Sequence, residues 1–195
     1  MNALYSLALG IVFSLIFFFC SMTNPTIAQT TAEEPQTGVS KPVQLSPSAR
    51  AASVQIGESS QKALAVRLLP DMDVKEELER IVRERGIKAA AVLTCVGSLR
   101  DGVVRFANKP NGTVLRGQLE IVSLTGTLGS ESGSHLHIAV SDGDGRTMGG
   151  HVLKGCRVFT TAEIVLAVLP DVVFSREIDS TSGYKELVIT LRAGK

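Results

Sequence analysis

From Ile87 to Leu191 the sequence is cut into short runs of β-branched and aliphatic residues, separated mostly by Gly, Asn and Asp. Short strands with turn residues between them are joined by hairpins, so this punctuation predicts a mostly antiparallel sheet. The runs are Ile87 to Val96, Val103 to Ala107, Gln118 to Leu128, Ser134 to Ser141 and Thr147 to Leu153, with Glu186 to Leu191 closing the sheet. Ala63 to Leu69 supplies an earlier strand that Pro70 ends. Asp73 with Glu76 then fits a capping box in which Asp replaces the usual Ser or Thr, and Val74, Leu78, Ile81 and Val82 form one apolar helical stripe that Gly86 stops. Thr161 to Leu169 reads two ways: Ala162-Glu163 suits a helix, Ile164-Val165 a strand. The fold class expected is α+β, mostly antiparallel sheet with flanking helices.

The chain has 195 residues, of which 44% are hydrophobic, enough for one ordinary core without disulfides or a structural metal. Twenty basic residues against nineteen acidic ones give a net charge of +1 and argue against a dedicated nucleic-acid binder. Ala3 to Cys20 carries no charge and is dominated by Leu, Ile, Val and Phe. Such a run is near the minimum for a membrane-spanning helix and slightly long for a signal-peptide core. Thr26-Ile27-Ala28 offers a small-residue cleavage site, so residues 1–28 are expected to be a signal peptide, with an uncleaved membrane anchor and a buried soluble helix as the alternatives. Either export reading places the remainder outside the cytosol, periplasmic or secreted, and touching a membrane only through an uncleaved segment. Residues 29–60, rich in Thr, Ser, Gln and Pro, read as a flexible spacer. Residues 61–195 form the expected folded domain.

All three histidines fall within seventeen positions, as His135-Leu136-His137 and Gly149-Gly150-His151. Residues two apart on a strand share a face and lie about 6.5–7 Å apart, so the His135/His137 pair is a plausible bidentate clamp for a metal with bonds of about 2.0–2.1 Å. Whether His151 joins them depends on the turn within Ser141 to Arg146. A two-residue turn at Gly143-Asp144 sets His151 opposite Leu136, on the wrong face. A three-residue loop, Gly143-Asp144-Gly145 with Gly145 left-handed, sets it opposite His137 on the right one. Three neutral imidazoles suit a divalent metal (Zn, Fe, Ni or Cu, with Zn the first candidate) and leave a coordination position open.

Other signals dissolve on inspection. Asp142-Gly143-Asp144-Gly145-Arg146 begins like a calcium loop but has Arg146 where the third oxygen ligand belongs, and Gly129 to Gly133 has Glu131 where a nucleophile elbow needs Ser. No dinucleotide fingerprint or phosphate loop occurs. Cys95 sits among apolar residues as a buried, inert thiol; an exported compartment would permit its pairing with Cys156, though no spacing rule supports this. Glu120 and Glu163 lie within apolar runs; each reads as a salt-bridge or edge residue, or as a catalytic base or second partner near a metal.

Gly117-Gln118-Leu119-Glu120-Ile121-Val122-Ser123-Leu124-Thr125-Gly126, His135-Leu136-His137 and Gly145-Arg146-x-x-Gly149-Gly150-His151 together resemble the plant-and-prokaryote-conserved (PPC) domain family, over roughly Ala63 to Leu191. Arg67-Leu68, Ala90-Ala91-Val92 leading to Gly97-Ser98, and Ala162-Glu163-Ile164-Val165 fall in the family's order. The resemblance implies a mostly seven-stranded antiparallel sheet, assembly as a homotrimer, and a metal site at His135, His137 and His151, with Arg67, Glu120 and Glu163 at recurrent positions. The plant motif Gly-Arg-Phe-Glu-Ile-Leu appears here with Gln118, Leu119 and Val122 in place of Arg, Phe and the final Leu, and no AT-hook Arg-Gly-Arg-Pro occurs. The chain is expected to be an exported trimeric module that binds a metal and a small ligand. The alternatives are a metal-dependent hydrolase or lyase and, third, a DNA-associated protein as the family is often described.

Overall fold

The computed structural model describes residues 28–30 and 54–192. The apolar segment before Ala28 and most of the 29–60 spacer lie outside them. A seven-stranded antiparallel sheet is built from β1 (Ala28–Thr30), β2 (Lys62–Leu68), β3 (Ala90–Arg105), β4 (Gly112–Gly129), β5 (Gly133–Ser141), β6 (Thr147–Val152) and β7 (Arg157–Val168), in the order β1-β4-β5-β6-β3-β7-β2. β3 also pairs with β4, so β3, β4, β5 and β6 close on themselves. A single helix among the described residues, α1 (Val74–Glu84), lies between β2 and β3 in sequence, where the sequence suggested flanking helices in the plural. No helix of the described residues is long and apolar enough to cross a membrane.

The expected strands lengthen where bulges absorb their turn residues. Ile87 to Val96 and Val103 to Ala107 become the one strand β3, whose ladder shifts register at Val92/Thr94, Gly97/Leu99 and Leu99/Asp101. Glycine and aspartate there bend a continuous strand instead of ending it, as bulges do. Thr161 to Leu169 resolves as strand, because Ala162, Ile164 and Leu166 alternate into the core while Glu163 points to solvent. Glu186 to Leu191 does not close the main sheet. It belongs to β9 (Lys185–Leu191), which forms a separate two-stranded sheet with β8 (Val172–Ile178) over a small core of Ala89, Val172 and Phe174. Residues before Gln61 also join this unit: Gln55 Oε1 accepts from the Ile189 N–H at 2.7 Å, and the Ser60 N–H and Oγ both donate to Asp171.

The helix is fixed by its cap and its stripe. Val74, Leu78 and Val82, spaced four apart, are fully buried and share one core with Leu99, Leu128, Leu136 and Leu166 of the sheet. Each such side chain contributes about 1.5–3 kcal/mol by leaving water. Asp73 is buried, and both its carboxylate oxygens are used: Oδ1 accepts from the Glu76 N–H at 3.0 Å as N-cap, and Oδ2 from the Gly155 N–H at 2.6 Å in the β6–β7 connection. One carboxylate thus satisfies the helix start and ties it to the loop that follows β6. Asp73→Ala is expected to lower stability by about 2 kcal/mol, from the lost cap and the orphaned Gly155 N–H. Urea unfolding should show the lower midpoint with an unchanged slope.

Candidate metal centre

Within the β5–β6 connection, residues 142–146, the turn itself is a three-residue loop. The Asp142 N–H donates to the Arg146 carbonyl at 3.0 Å, closing residues 143–145 as the loop, and the Gly145 N–H donates to the Asp142 carbonyl at 2.9 Å. Asp142 Oδ1 holds the loop from inside, accepting from the Asp144 and Arg146 N–H groups at 3.0 and 2.9 Å. Gly145 has φ 79°, the left-handed conformation that glycine adopts without strain. From this loop the ladder runs Ser141 opposite Thr147, Val140 opposite Met148 and His137 opposite His151. Direct cross-strand partners share a face, and His135 lies on it two residues away.

The three imidazoles therefore converge. Ring centroids are 5.2 Å apart for His135 and His137, 5.0 Å for His135 and His151, and 5.5 Å for His137 and His151. One ring nitrogen from each lies within 4.8 Å of the others. Small ring rotations bring nitrogens at this separation to the span of ligands around one ion with bonds of about 2.0–2.1 Å. The outer wall comes from β4, where Thr127 pairs with His135 and Thr125 with His137. Gly126 between them has φ 136°, and a Cβ there would stand 1.9 Å from the His135 carbonyl oxygen, so a side chain would push the histidine strand away. Thr125, Gly126, Thr127, His135 and His137 line a depression of about 300 Å³ open to solvent.

Its electrostatics favour neutral imidazole. Burial, then the charge of Arg105 across the β3–β6 ladder, lowers the His151 pKa to about 4. Burial, then Arg176 of β8, holds His135 below its ordinary value. Neutral imidazole is the form that ligates metals. His151 Nδ1 is buried and has no hydrogen-bond partner among the described residues, an unmet acceptor or donor of the kind a ligand relieves. The donor set, three nitrogens and no carboxylate, fits a divalent transition metal. Behind it, Ser134 Oγ donates to Glu79 Oε1 at 2.6 Å and accepts from Lys75 Nζ at 3.0 Å, anchoring the start of β5 to α1. Burial would raise the Glu79 pKa, but the bonds from Lys75 and Ser134 outweigh it and hold the carboxyl below its usual range.

Glu120 and Glu163 stand apart from this cluster. Glu120 is paired with Ser98 and Ser141, and Ser141 is four residues, about 13 Å, along β5 from His137. Glu163 lies on β7 between Val96 and Arg67, whose Nε donates to Thr161 Oγ1 at 3.2 Å. Cys95 and Cys156 are separate free thiols, buried, with pKa values pushed up to about 11 and about 12 chiefly by desolvation. The sequence reading missed Thr127, Arg105 and Arg176. The apolar run Val172-Val173-Phe174 ahead of Arg176, followed by the turn residues Asp179 to Gly183, is the signal that marks its hairpin.

Comparison with known proteins places residues 55–170 under the family model of the Plants and Prokaryotes Conserved (PCC) domain, the PPC family of the sequence motifs. Over 135 residues, 69% of this chain, it is 45% identical to the bifunctional protein GlmU of Synechococcus sp. (strain JA-2-3B'a(2-13)). A GlmU of Synechococcus sp. (strain JA-3-3Ab) is 46% identical over 130 residues, 67% of the chain. The chain spans about a fifth (21%) of the length of these two relatives. Among solved structures, a hypothetical protein from Salmonella cholerae-suis is 43% identical with a TM-score of 0.68, the match covering 70% of this chain and 98% of that one. A metal-containing protein from Archaeoglobus fulgidus (24% identity, TM-score 0.61, 69% and 99% covered) and a plant- and prokaryote-conserved protein from Pyrococcus horikoshii (23%, 0.58, 68% and 96%) share the fold.

Proposed function

The chain belongs to the Plants and Prokaryotes Conserved domain family, and on that premise we propose that it is an exported homotrimeric module whose His135, His137 and His151 hold one divalent metal, zinc first among the candidates, and with it a small ligand. The observation that carries this is the convergence of three imidazole nitrogens within 4.8 Å on one face of the sheet. The Archaeoglobus relative is described as metal-containing, and at 24% identity it lends the fold alone. A metal bound there would supply a Lewis acid with an open coordination position. The chain's own part is to hold His135 and His151 toward the neutral form, to fix the mutual register of the three imidazoles through the β5–β6 loop, and to leave Thr125 and Thr127 beside them as polar wall.

Binding without turnover is the better-supported reading. A metal-dependent hydrolase or lyase needs a general base within reach of the bound water. Neither Glu120 nor Glu163 belongs to the histidine cluster, and Glu120 stands about 13 Å along the ladder from it. Association with DNA has the least support, given a net charge of +1 and no AT-hook. Trimerisation is supported by the apolar side chains that the sheet leaves exposed: Leu93 and Val96 of β3, Val122 of β4 and Phe159 of β7. Export is supported by the uncharged run from Ala3 to Cys20 ahead of the small-residue site at Ala28.

Three measurements test these parts separately. Elemental analysis of the purified, untagged chain should find about one metal per chain, and His137→Ala should remove most of it while leaving the circular dichroism and thermal transition nearly unchanged. Unchanged metal content in that variant would sink the site. Light scattering should give the mass of three chains at micromolar concentration, against which a clean monomer decides. N-terminal sequencing of protein from the native host should begin at Gln29; a start at Met1 in a membrane fraction would replace the signal peptide with an anchor.

A further inference from the structure

The depression beside the histidines has a cationic side that metal binding alone leaves uncompensated. Arg176, on β8, donates from Nη2 to Thr127 Oγ1 at 3.2 Å, and Thr127 is the cross-strand partner of His135. The guanidinium is half-buried, its Nε is buried without an acceptor, and it makes no ion pair among the described residues. Glu186, on the neighbouring strand β9, is near enough for its charge to act on both Arg176 and His135, but it does not pair with the guanidinium; it is exposed and accepts from Ser182 Oγ at 2.9 Å. On the opposite side Arg105 faces His151 across the β3–β6 ladder, also without an ion pair among the described residues. Lys75, which also acts on His151, is already matched by Glu79.

Three neutral ligands leave a divalent ion with its full double charge, and Arg105 and Arg176 add to it. A partly desolvated cluster of positive charge of this kind is stabilised by an anion placed between its members. A planar guanidinium beside an open coordination position matches a small oxyanion, which can offer one oxygen to each. We propose that Arg176, held by Thr127, is the anchor of a small oxyanion ligand, a carboxylate or phosphate group, that bridges the guanidinium and the metal at His135, His137 and His151. The proposal deepens the metal-binding reading and rests on it. Arg176, on the β8–β9 hairpin, lies beyond residues 55–170 covered by the family model.

The test uses the full chain loaded with Co²⁺, whose visible absorption reports the ion's coordination, titrated separately with malonate and with inorganic phosphate while calorimetry records binding. Saturable binding of either anion with a changed Co²⁺ spectrum is expected, and which one binds more tightly tells carboxylate from phosphate. Arg176→Gln should keep its Co²⁺ content, showing that the site has folded, and bind the anion about 10- to 100-fold more weakly, the loss of a charge-assisted contact. If Co²⁺ binds but neither anion changes the spectrum or gives heat up to millimolar concentration, the oxyanion site is overturned and the metal reading stands. Undiminished anion binding by Arg176→Gln overturns the anchor. Failure of the wild-type chain to take up Co²⁺ overturns the metal reading, and this inference with it.

Discussion

The pairing register of β5 and β6 is the constraint on which the site depends. The two strands lie within a closed set of four, β3 to β6, and β6 is held on its other edge by the last residues of β3. A slip of one residue would turn every side chain of β6 to the opposite face, burying His151 where Val152 now sits and exposing Val152 in its place. Val152 and Val140 are almost wholly buried, so the hydrophobic core enforces the same register as the three-residue loop. Loop geometry and core burial agree, and that agreement presents His151 beside His137.

Around this register the molecule spends its polar groups on local order. Asp142 uses one carboxylate oxygen to hold the loop, Asp73 uses two to join the helix start to the β6–β7 connection, and Ser134 links β5 to the helix through Glu79 and Lys75. Each satisfies backbone or charged groups that would otherwise lie unpaired in a partly dry environment. The histidines stand out because they are not treated in this way. His151 is partly buried with an unpartnered ring nitrogen, and the nearest charges, Arg105 and Arg176, disfavour its protonation or that of His135. Such an arrangement is costly for a protein with nothing to bind and reasonable for one that presents neutral ligands.

The glutamates illustrate how a motif can be read correctly along the chain and still say little about chemistry. Glu120 and Glu163 occupy solvent-facing positions of strands whose alternate residues, Leu119, Ile121, Ala162 and Ile164, fill the core. They lie on the same outward face of the sheet as Val96, Val122, Phe159 and the histidines, but neither belongs to the imidazole cluster, and Glu120 stands about 13 Å along the ladder from His137. Alternation alone told which face each carboxylate takes. It gave no distance to His137, because that distance follows from the strand pairing.

Local chemistry written in the sequence determined the capped helix, the antiparallel character of the strands, the H-x-H pair and the choice of glycine at position 145, since each depends on residues a few positions apart. Gly97 and Asp101 looked like interruptions and proved to lie within β3 at shifts of its ladder, because the strands on either side continue through them. β8 and its pairing with β9 escaped the sequence reading, and with them Arg176, whose place beside Thr127 depends on how a small second sheet packs against the first. Tertiary structure alone decided which charges face the histidines, because Arg105, Lys75 and Arg176 come from three elements far apart in sequence. Electrostatic interactions act through space between groups brought together by burial and backbone pairing, and no local pattern encodes that meeting.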